Sequence, residues 1–252
     1  MGGKEKRKRE AEEVAEDSEE EVVAEEEAST APIDVEKSLA PADDGGVWFV
    51  LEKASLEAAK VGKNYQLLNC DDHANFLRKH KRDPAQYRPD ITHQALLAIL
   101  DSPMNKAGKL KGLYVHTEKN VLIQINPHIR IPRTFKRFCG LMVQLLQKLV
   151  IRATNGPDKL MKVVKQPVTR HLPLGARRIG MSYSAPKVVQ LREYITASKE
   201  TTPLVFVVGA MSHGKIEVDY IDDLVAVSQY PLSAMWAIAR ICNSLESQWN
   251  IV

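Results

Sequence analysis

Residues 209–215, near the end of the chain, carry residue types that bind small ligands. They follow the apolar run 204–208 and fit the Gly-x-x-x-x-Gly-Lys spacing of a phosphate-binding loop. The next residue is Ile216, where that motif needs a Ser or Thr for Mg²⁺, and the acidic segment 216–223 has no helix start. The sequence therefore argues against an NTPase. The glycines still let a ligand approach the backbone closely, although a tight turn without a ligand would use the same residues.

A second set of chemically informative residues is basic. Arg130, Arg133, Lys136 and Arg137 fall within eight residues of each other. If a helix begins near Pro132, Arg133 and Arg137 are four residues apart and share one face of it. The planar guanidinium group binds phosphate through two parallel hydrogen bonds, so this cluster predicts contact with nucleic acid. A solvated helix start is the alternative.

Other polar groups give weaker signals. Asp71, Asp72 and His73 form one short cluster with no distant partner, so turn residues are a better interpretation than a metal site. The histidines 93, 171 and 213 lack the Ser or Cys partner of a catalytic triad. The three cysteines form no Cys-x-x-Cys pair, which predicts neither a disulfide framework nor a zinc site. We therefore predict no metal.

Charge divides the chain of 252 residues into two parts. Residues 1–45 contain 6 Lys or Arg and 16 Asp or Glu, whereas residues 46–252 contain 29 and 16. We predict a disordered acidic tail with a basic start over residues 1–45 and a folded domain over residues 46–252. The basic run 6–9 fits a nuclear import signal or a solvated charge cluster, and the acidic stretch 10–27 fits a shielding arm or plain disorder.

The positive charge of the folded part predicts a polyanionic partner. No apolar run in the sequence approaches the length of a membrane span, and no long basic amphipathic helix stands out. Nucleic acid is therefore favoured over a membrane.

The hydrophobic pattern predicts the elements that must position these groups. Apolar runs predict strands at 47–51, 65–68 and 204–208, a hairpin at 113–116 and 121–125, and a further strand at 224–227. Helical spacing predicts helices at 90–100, 188–197 and 233–248, and one after Pro132 whose core stripe is Phe138, Leu141, Met142, Leu145, Leu146 and Leu149. Strands without polar alternation, separated by helices, indicate an α/β fold with a mostly parallel sheet covered on both faces. Ligands of such sheets bind beyond the carboxyl ends of the strands, which points to residues 209–215 and 228–234.

Six segments of the chain carry distinctive residue patterns. Two of them are the loop segments 206–211 (FVVGAM) and 227–234 (VSQYPLSA). The others are 68–73 (LNCDDH), 88–94 (RPDITHQ), 100–110 (LDSPMNKAGKL) and 129–138 (IRIPRTFKRF). In order and with near-constant spacing, from about residue 47 to residue 252 and outside the acidic tail, the chain resembles a SPOUT-class methyltransferase family that acts in eukaryotic ribosome biogenesis, and the two loop segments match its cofactor loops. The family methylates ring nitrogen 1 of a pseudouridine in small-subunit (18S) ribosomal RNA.

The resemblance implies a fold and a cofactor. The fold is an α/β knot, in which a mostly parallel sheet is flanked by helices, the C-terminal segment forms a trefoil knot and family-specific insertions are present. S-adenosyl-L-methionine lies bent in the knot, and two copies form a homodimer with the site near the interface. The implied cofactor-binding residues are Met181, Gly209, Gly214, Val227, Ser228, Gln229, Tyr230, Pro231 and Leu232. Gln229 replaces an acidic residue that some relatives carry, so a carboxylate contact is not expected there.

The resemblance also implies partners. Arg130, Arg133 and Arg137 contact the RNA, and Arg88 does so while Asp90 holds it in place. The sequence pattern also predicts Asp90 as an N-cap that stabilises the helix by about 1 kcal/mol, and the two roles are compatible. The expected partners are small-subunit rRNA, ribosome-assembly factors and the pre-40S particle, in the nucleus and nucleolus.

The mechanism expected from the sequence is an in-line displacement, for which the protein aligns donor and acceptor. A proton must leave the pseudouridine nitrogen. Asp101 is one candidate base, and water or the phosphate environment are equal alternatives. The rival hypothesis is a non-catalytic RNA-binding ribosome-assembly factor that uses the same basic surface.

Overall fold

The structure, a computed structural model, describes residues 45–154, 156–197 and 202–252. The predicted acidic tail, with its basic start, lies outside the described residues except for Gly45. In the described residues the strands are β1 (Val47–Ala54), β2 (Ala58–Val61), β3 (Asn64–Leu67), β4 (Leu110–Thr117), β5 (Leu122–Ile125), β6 (Val150–Arg152), β7 (Lys159–Val164), β8 (Arg177–Met181), β9 (Leu204–Gly209) and β10 (Asp223–Val225). The helices are α1 (Ala74–Lys79), α2 (Pro89–Leu100), α3 (Pro103–Lys106), α4 (Phe135–Lys148), α5 (Leu191–Thr196) and α6 (Ala234–Gln248), with 3₁₀ turns at Pro84–Gln86 and Val168–His171.

Eight strands form one sheet, in the order β10-β8-β9-β1-β4-β5-β7-β6. The first five are parallel, and the last three extend the sheet with antiparallel pairing. β1 and β9 lie at the centre, where Phe49 is opposite Phe206 and their ring centroids are 5.8 Å apart. The buried strands predicted at 47–51 and 204–208 are confirmed. Their apolar runs are continuous because strands inside a covered parallel sheet bury side chains on both faces.

The edges of the sheet differ more from the sequence-based expectation. The hairpin of β4 and β5 is confirmed. Strands β6, β7 and β8 were not predicted, because their sequences VIR, KLMKVV and RRIGM mix charged and apolar residues without clear alternation. A strand does form close to the predicted range 65–68, as β3, but the prediction that it is buried is wrong. β3 pairs with β2 in a separate two-stranded sheet, and Tyr65 is 54% exposed.

Helices cover one face of the large sheet. Side chains from α2, α4, α5 and α6 join the larger apolar core on that face. The opposite face packs Val50, Val205 and Val207 against irregular segments that include Val168, Ile216 and Tyr220. The α/β class with a large, mostly parallel sheet flanked by helices is thus confirmed, with loops rather than helices on the second face. The trefoil knot stays a prediction.

Two predicted details of the helices are wrong. α4 begins at Phe135 with Thr134 as its N-cap, so Arg133 precedes the helix and shares no helical face with Arg137. Leu149 ends α4 in the left-handed region (φ 61°) and is 55% exposed, so it leaves the apolar stripe that buries Phe138, Met142 and Leu145.

The N-cap interpretation of Asp90 is also wrong. Arg88 is the N-cap of α2, Pro89 occupies the first helical position, and Asp90 lies in the first turn. An acidic side chain at this place is still favourable, because the N-terminal end of a helix carries partial positive charge.

Candidate active site

A cavity of about 590 Å³ lies beyond the carboxyl ends of β8 and β9. This is the place at which parallel sheets bind ligands. Its walls are the loops that follow β8, β9 and β10, together with the N-terminal ends of α2 and α6. The lining includes these predicted cofactor residues: Met181, Gly209, Gly214, Val227, Ser228, Tyr230 and Leu232. Gln229 and Pro231 belong to the same loop but do not line the cavity.

The segment that follows β9, residues 210–222, is the glycine loop, and it does not form a phosphate-binding loop. Gly214 has a φ of +110°, which an L-amino acid rarely adopts, and this bends the chain around the cavity. Ile216 is 8% exposed and packs in the smaller core instead of starting a helix. Residues 210–222 contain no helix, so no helix N-terminus is available to hold a nucleotide phosphate.

The loop after β10 is shaped by hydroxyl groups. The backbone N–H of Tyr230 donates to Ser228 Oγ at 3.0 Å. The Ser233 Oγ accepts from the backbone N–H of Trp236 at 3.2 Å and caps α6. These bonds shape the part of the cavity wall that this loop forms without a helix or strand.

A buried carboxylate that was not among the predicted site residues anchors the glycine loop. Glu52 has a side chain that is 3% exposed; it accepts a hydrogen bond from the Tyr220 hydroxyl at 2.5 Å, and its other oxygen lies 2.8 Å from His116 Nδ1. The carbonyl of Glu52 accepts from the backbone N–H of Ala210 at 2.8 Å. Lys53 Nζ donates to the carbonyl of Lys215 at 3.0 Å. Glu52 and Lys53, at the end of β1, therefore hold the glycine loop through contacts with Ala210, Lys215 and Tyr220.

The environment changes the proton affinity of this cluster. The hydrogen bond to Glu52 raises the pKa of His116 above its ordinary value, because it stabilises the imidazolium form. Burial raises the pKa of Tyr220, and the neighbouring Glu52 carboxylate adds to the effect. Tyr220 is thus a neutral hydroxyl donor. A single glutamate at the end of an otherwise apolar strand is the signal that could have identified the cluster.

Arg88 and Asp90 form a bidentate ion pair at the edge of the cavity. Arg88 Nε and Nη2 donate to the two oxygens of Asp90 at 2.8 and 2.6 Å. This contact raises the pKa of Arg88, and both residues line the cavity. The Ser212 hydroxyl of the glycine loop donates to the carbonyl of Ala85 at 2.7 Å, just before Arg88. The structure thereby joins the arginine segment to the predicted cofactor loop.

The other predicted RNA-binding arginines lie alongside α2. His93, about 7.5 Å along the helix from Arg88, places its Nε2 atom 2.7 Å from the Pro132 carbonyl and stacks on Phe138. Arg130, Arg133 and Arg137 are all exposed. Arg133 Nη1 contacts Asp101 Oδ2 at 3.1 Å, at the far end of α2.

This placement does not support Asp101 as a base. Asp101 is the C-cap of α2, about 20 Å along the helix from Arg88, and pairs with Arg133 and Lys106. It lies outside the lining of the cavity. Its catalytic role stays a prediction without a structural argument.

The remaining candidates form local structure. Asn69 Oδ1 accepts from the backbone N–H groups of Asp71 and Asp72, and Asn69 Nδ2 donates to Asp72 Oδ2, which makes this segment a turn. Within the described part of the chain, no group of three or more His, Cys, Asp or Glu residues could hold a metal ion. Every helix in the described residues is too short or too polar to span a bilayer.

Comparison with known proteins places the chain in a family. The sequence pattern described as EMG1/NEP1 methyltransferase matches residues 49–246. The human protein named Ribosomal RNA small subunit methyltransferase NEP1 is 55% identical over 203 residues, which is 81% of this chain and 82% of that protein. The protein named nep-1 from Caenorhabditis elegans is 52% identical over 206 residues, 82% of this chain and 88% of that one.

A solved structure agrees with the fold. The crystal structure of Archaeoglobus fulgidus Nep1 bound to S-adenosylhomocysteine covers 81% of this chain and 99% of its own, with a TM-score of 0.66 at 22% identity. The family predicted from the residues is confirmed, and with it the class of enzyme. The chain belongs to the EMG1/NEP1 methyltransferase family.

Proposed function

We propose that this protein transfers a methyl group from S-adenosyl-L-methionine to ring nitrogen 1 of a pseudouridine in small-subunit (18S) ribosomal RNA. The family match, and relatives above 50% identity that are named as small-subunit rRNA methyltransferases, support this proposal. The Archaeoglobus relative, whose structure holds S-adenosylhomocysteine, supports the cofactor.

The observation that carries the proposal is the composition of one cavity. The glycine loop, the loop after β10 and the Arg88–Asp90 pair line the same space. A small ligand in the loops would therefore lie next to a guanidinium group suited to a phosphate. This arrangement brings together the two binding functions that an RNA methyltransferase needs.

The cavity fits the cofactor in size and chemistry. Ligand pockets usually measure roughly 300–1,000 Å³, and this one measures about 590 Å³. Val227, Leu232 and Met181 give it apolar walls, and the glycines expose backbone groups for hydrogen bonds. S-adenosyl-L-methionine, when bound there, supplies an electrophilic methyl group on a sulfonium sulfur.

The residues of the chain act by positioning. The loops hold the donor's place beside the RNA, and Arg88 fixes a phosphate of the target strand. Proximity of this kind lowers a bimolecular barrier by up to about 7–11 kcal/mol. Asp90 is the carboxylate among the described lining residues, and Arg88 occupies both of its oxygens. No unpaired carboxylate among the described lining residues is available for the proton of the acceptor nitrogen, so water or the phosphate environment takes it up in this proposal.

Mass spectrometry tests the proposal directly. Small-subunit rRNA incubated with the protein and a labelled methyl donor should gain one methyl group on a pseudouridine. Calorimetry with S-adenosylmethionine separates the two hypotheses. RNA binding without detectable donor binding would refute the enzyme proposal and support a non-catalytic assembly factor.

We further propose that the protein is a homodimer that works on the pre-40S particle in the nucleolus. Three large aromatic side chains near the cavity are exposed in the single chain: Tyr183 (60%), Tyr230 (74%) and Trp236 (54%). Side chains of this kind are enriched at subunit interfaces. Their location supports a dimer whose interface adjoins the site. Fluorescence microscopy of the tagged protein tests the compartment.

A further inference from the structure

The β6–β7 hairpin carries two basic side chains that the proposed site does not use. Arg152 at the end of β6 lies directly opposite Lys159 at the start of β7. Both residues are exposed. Directly opposite residues project from the same face of a sheet, so two positive charges are held side by side.

This arrangement is unfavourable for folding. Like charges directly opposite each other in a pair of strands destabilise the pair. Neither side chain has an ion-pair partner in the described residues, and Arg152 Nη1 donates only to the carbonyl of Pro157 at 3.2 Å. A bulge shifts the register between Ile151 and Arg152, and bulges commonly re-aim side chains near functional sites.

The hairpin is continuous with the predicted RNA-binding arginines. The backbone N–H of Asn126 donates to the carbonyl of Leu160 at 2.9 Å, so the residue next to Lys159 lies beside the loop that leads to Arg130. β6 follows α4 after the turn at Leu149 and packs against it. Both strands of the hairpin therefore pack against α4, whose first turn carries Arg137.

We propose that Arg152 and Lys159 extend the RNA-binding surface onto the β6–β7 hairpin, where they contact the sugar–phosphate backbone of the stem that flanks the target loop. This inference rests on the proposed function, because it takes RNA as the substrate. RNA is favoured over an acidic protein because the two charges continue a row of exposed arginines and because backbone phosphates repeat along a stem. Contacts of this type set register and affinity but read no base.

The test compares two double variants that each remove one lysine and one arginine. Arg152→Gln/Lys159→Gln removes the proposed contacts. The control Lys165→Gln/Arg170→Gln removes two exposed charges that follow the opposite end of β7. Equilibrium binding is measured with two hairpin RNAs cut from the small subunit, which share one loop but have a stem of about 4 or about 12 base pairs.

The expected result is selective for the long stem. The Arg152/Lys159 variant should bind the long hairpin roughly tenfold more weakly, and the slope of log affinity against log salt should decrease by about 1.5. Its binding to the short hairpin, and the binding of the control variant to either RNA, should match the parent. Lys159→Arg should keep the parental affinity for the long stem.

Three results would overturn the inference: parental affinity of the variant for the long stem, an equal loss in the control, or an equal loss on the short hairpin. Thermal unfolding guards against misfolding, because removal of the like-charge pair should leave the melting temperature unchanged or higher. If the double variant melts lower, Lys159→Gln alone gives the same comparison. The binding readout is independent of methyl transfer, so failure of the proposed activity is detected separately, as absence of product with the parent protein.

Discussion

Arg88 and Asp90 show how two neighbouring residues divide a task. The carboxylate of Asp90 accepts both hydrogen bonds of a bidentate pair and fixes the guanidinium at the cavity edge. The two side chains are 40% and 31% exposed, so solvent screens the pair and its contribution to folding is small. The value of the pair lies in the orientation of Arg88.

Variants of Asp90 should separate orientation from stability. Asp90→Asn removes the charge but keeps the shape, and we expect severalfold weaker RNA binding with a nearly unchanged melting temperature. Asp90→Gly also places a glycine in the first turn of α2, which costs about 1 kcal/mol and lowers the melting temperature by about 2–4 °C. Filter binding and thermal unfolding measure the two effects. If Asp90→Gly melts like the parent, the second half of this expectation is wrong.

Gly214 matters because of its backbone conformation. At a φ of +110°, a side chain is strained whatever space surrounds it. Gly214→Ala should distort the glycine loop, cost about 1–3 kcal/mol of stability and weaken S-adenosylmethionine binding at least tenfold. Gly140→Ala is the matched control, since Gly140 lies in α4 with open space around it. It should be neutral or stabilising by about 0.5–1 kcal/mol. Calorimetry that finds equal donor affinity for the two variants would contradict this role.

The end of β1 is where regular structure organises an irregular loop. Glu52 joins β1, β4 and the glycine loop through its contacts with His116 and Tyr220. The rigid sheet thus fixes residues 210–222, which form no helix or strand of their own. Glu52, His116 and Tyr220 line a second cavity, separate from the candidate active site. Its other charged lining residues are Arg178, Glu217 and Asp219, and Asn120 Oδ1 lies 3.0 Å from His116 Nε2.

The His116–Glu52 contact predicts a pH dependence of stability. The pKa of His116 is higher in the folded protein than in the unfolded chain. The contact therefore stabilises the fold fully at pH values below the unfolded-state pKa of about 6.5. The stabilisation is lost as the pH rises through the folded-state pKa. The melting temperature of the parent should exceed that of His116→Gln most near pH 6 and least near pH 8.5. The control His128→Gln, at an exposed histidine, should show no such trend. A difference that is constant with pH would refute a contribution from the charged imidazole.

In the molecule as a whole, the cavity and the exposed aromatic residues lie at the same end. Tyr183 and Tyr230 line the cavity, and Trp236 lies in the first turn of α6, which borders it. A second copy that covers these side chains would also close the cavity from one side. Assembly and donor binding would then depend on the same residues.

Substitution of Trp236 should therefore disrupt the homodimer. Trp236→Glu places a charge in the proposed interface, and we expect a monomer by light scattering at micromolar concentration. Trp249→Phe, at the C-cap of α6, is a conservative control and should leave the mass of the assembly measured by light scattering unchanged. A parent protein that is itself a monomer at high concentration would contradict the dimer proposal.

The strongest elements of the fold could be predicted because their signals are local. The continuous apolar runs of β1 and β9 and the spacing of α2 and α6 specify burial directly. The two loops predicted to bind the cofactor were identified through residue matches, because glycine and proline at particular positions affect the backbone in a recognisable way. Strands β6, β7 and β8, which lie at or next to the edges of the sheet, were missed because their sequences mix charged and apolar residues without clear alternation.

The amino-acid order alone was sufficient for the α/β class, the family and the two loops that line the cavity. It could not place Arg133, which leaves its expected helix face because α4 starts three residues later than Pro132 suggests. It did not reveal Arg152 and Lys159 as neighbours, because the strands that carry them, VIR and KLMKVV, show no clear strand pattern. It could not reveal Glu52 as the anchor, because the contacts of Glu52 with His116 and Tyr220 join segments far apart in sequence. Such contacts arise when a sheet brings distant strands within hydrogen-bonding distance, and local residue patterns carry no record of that pairing.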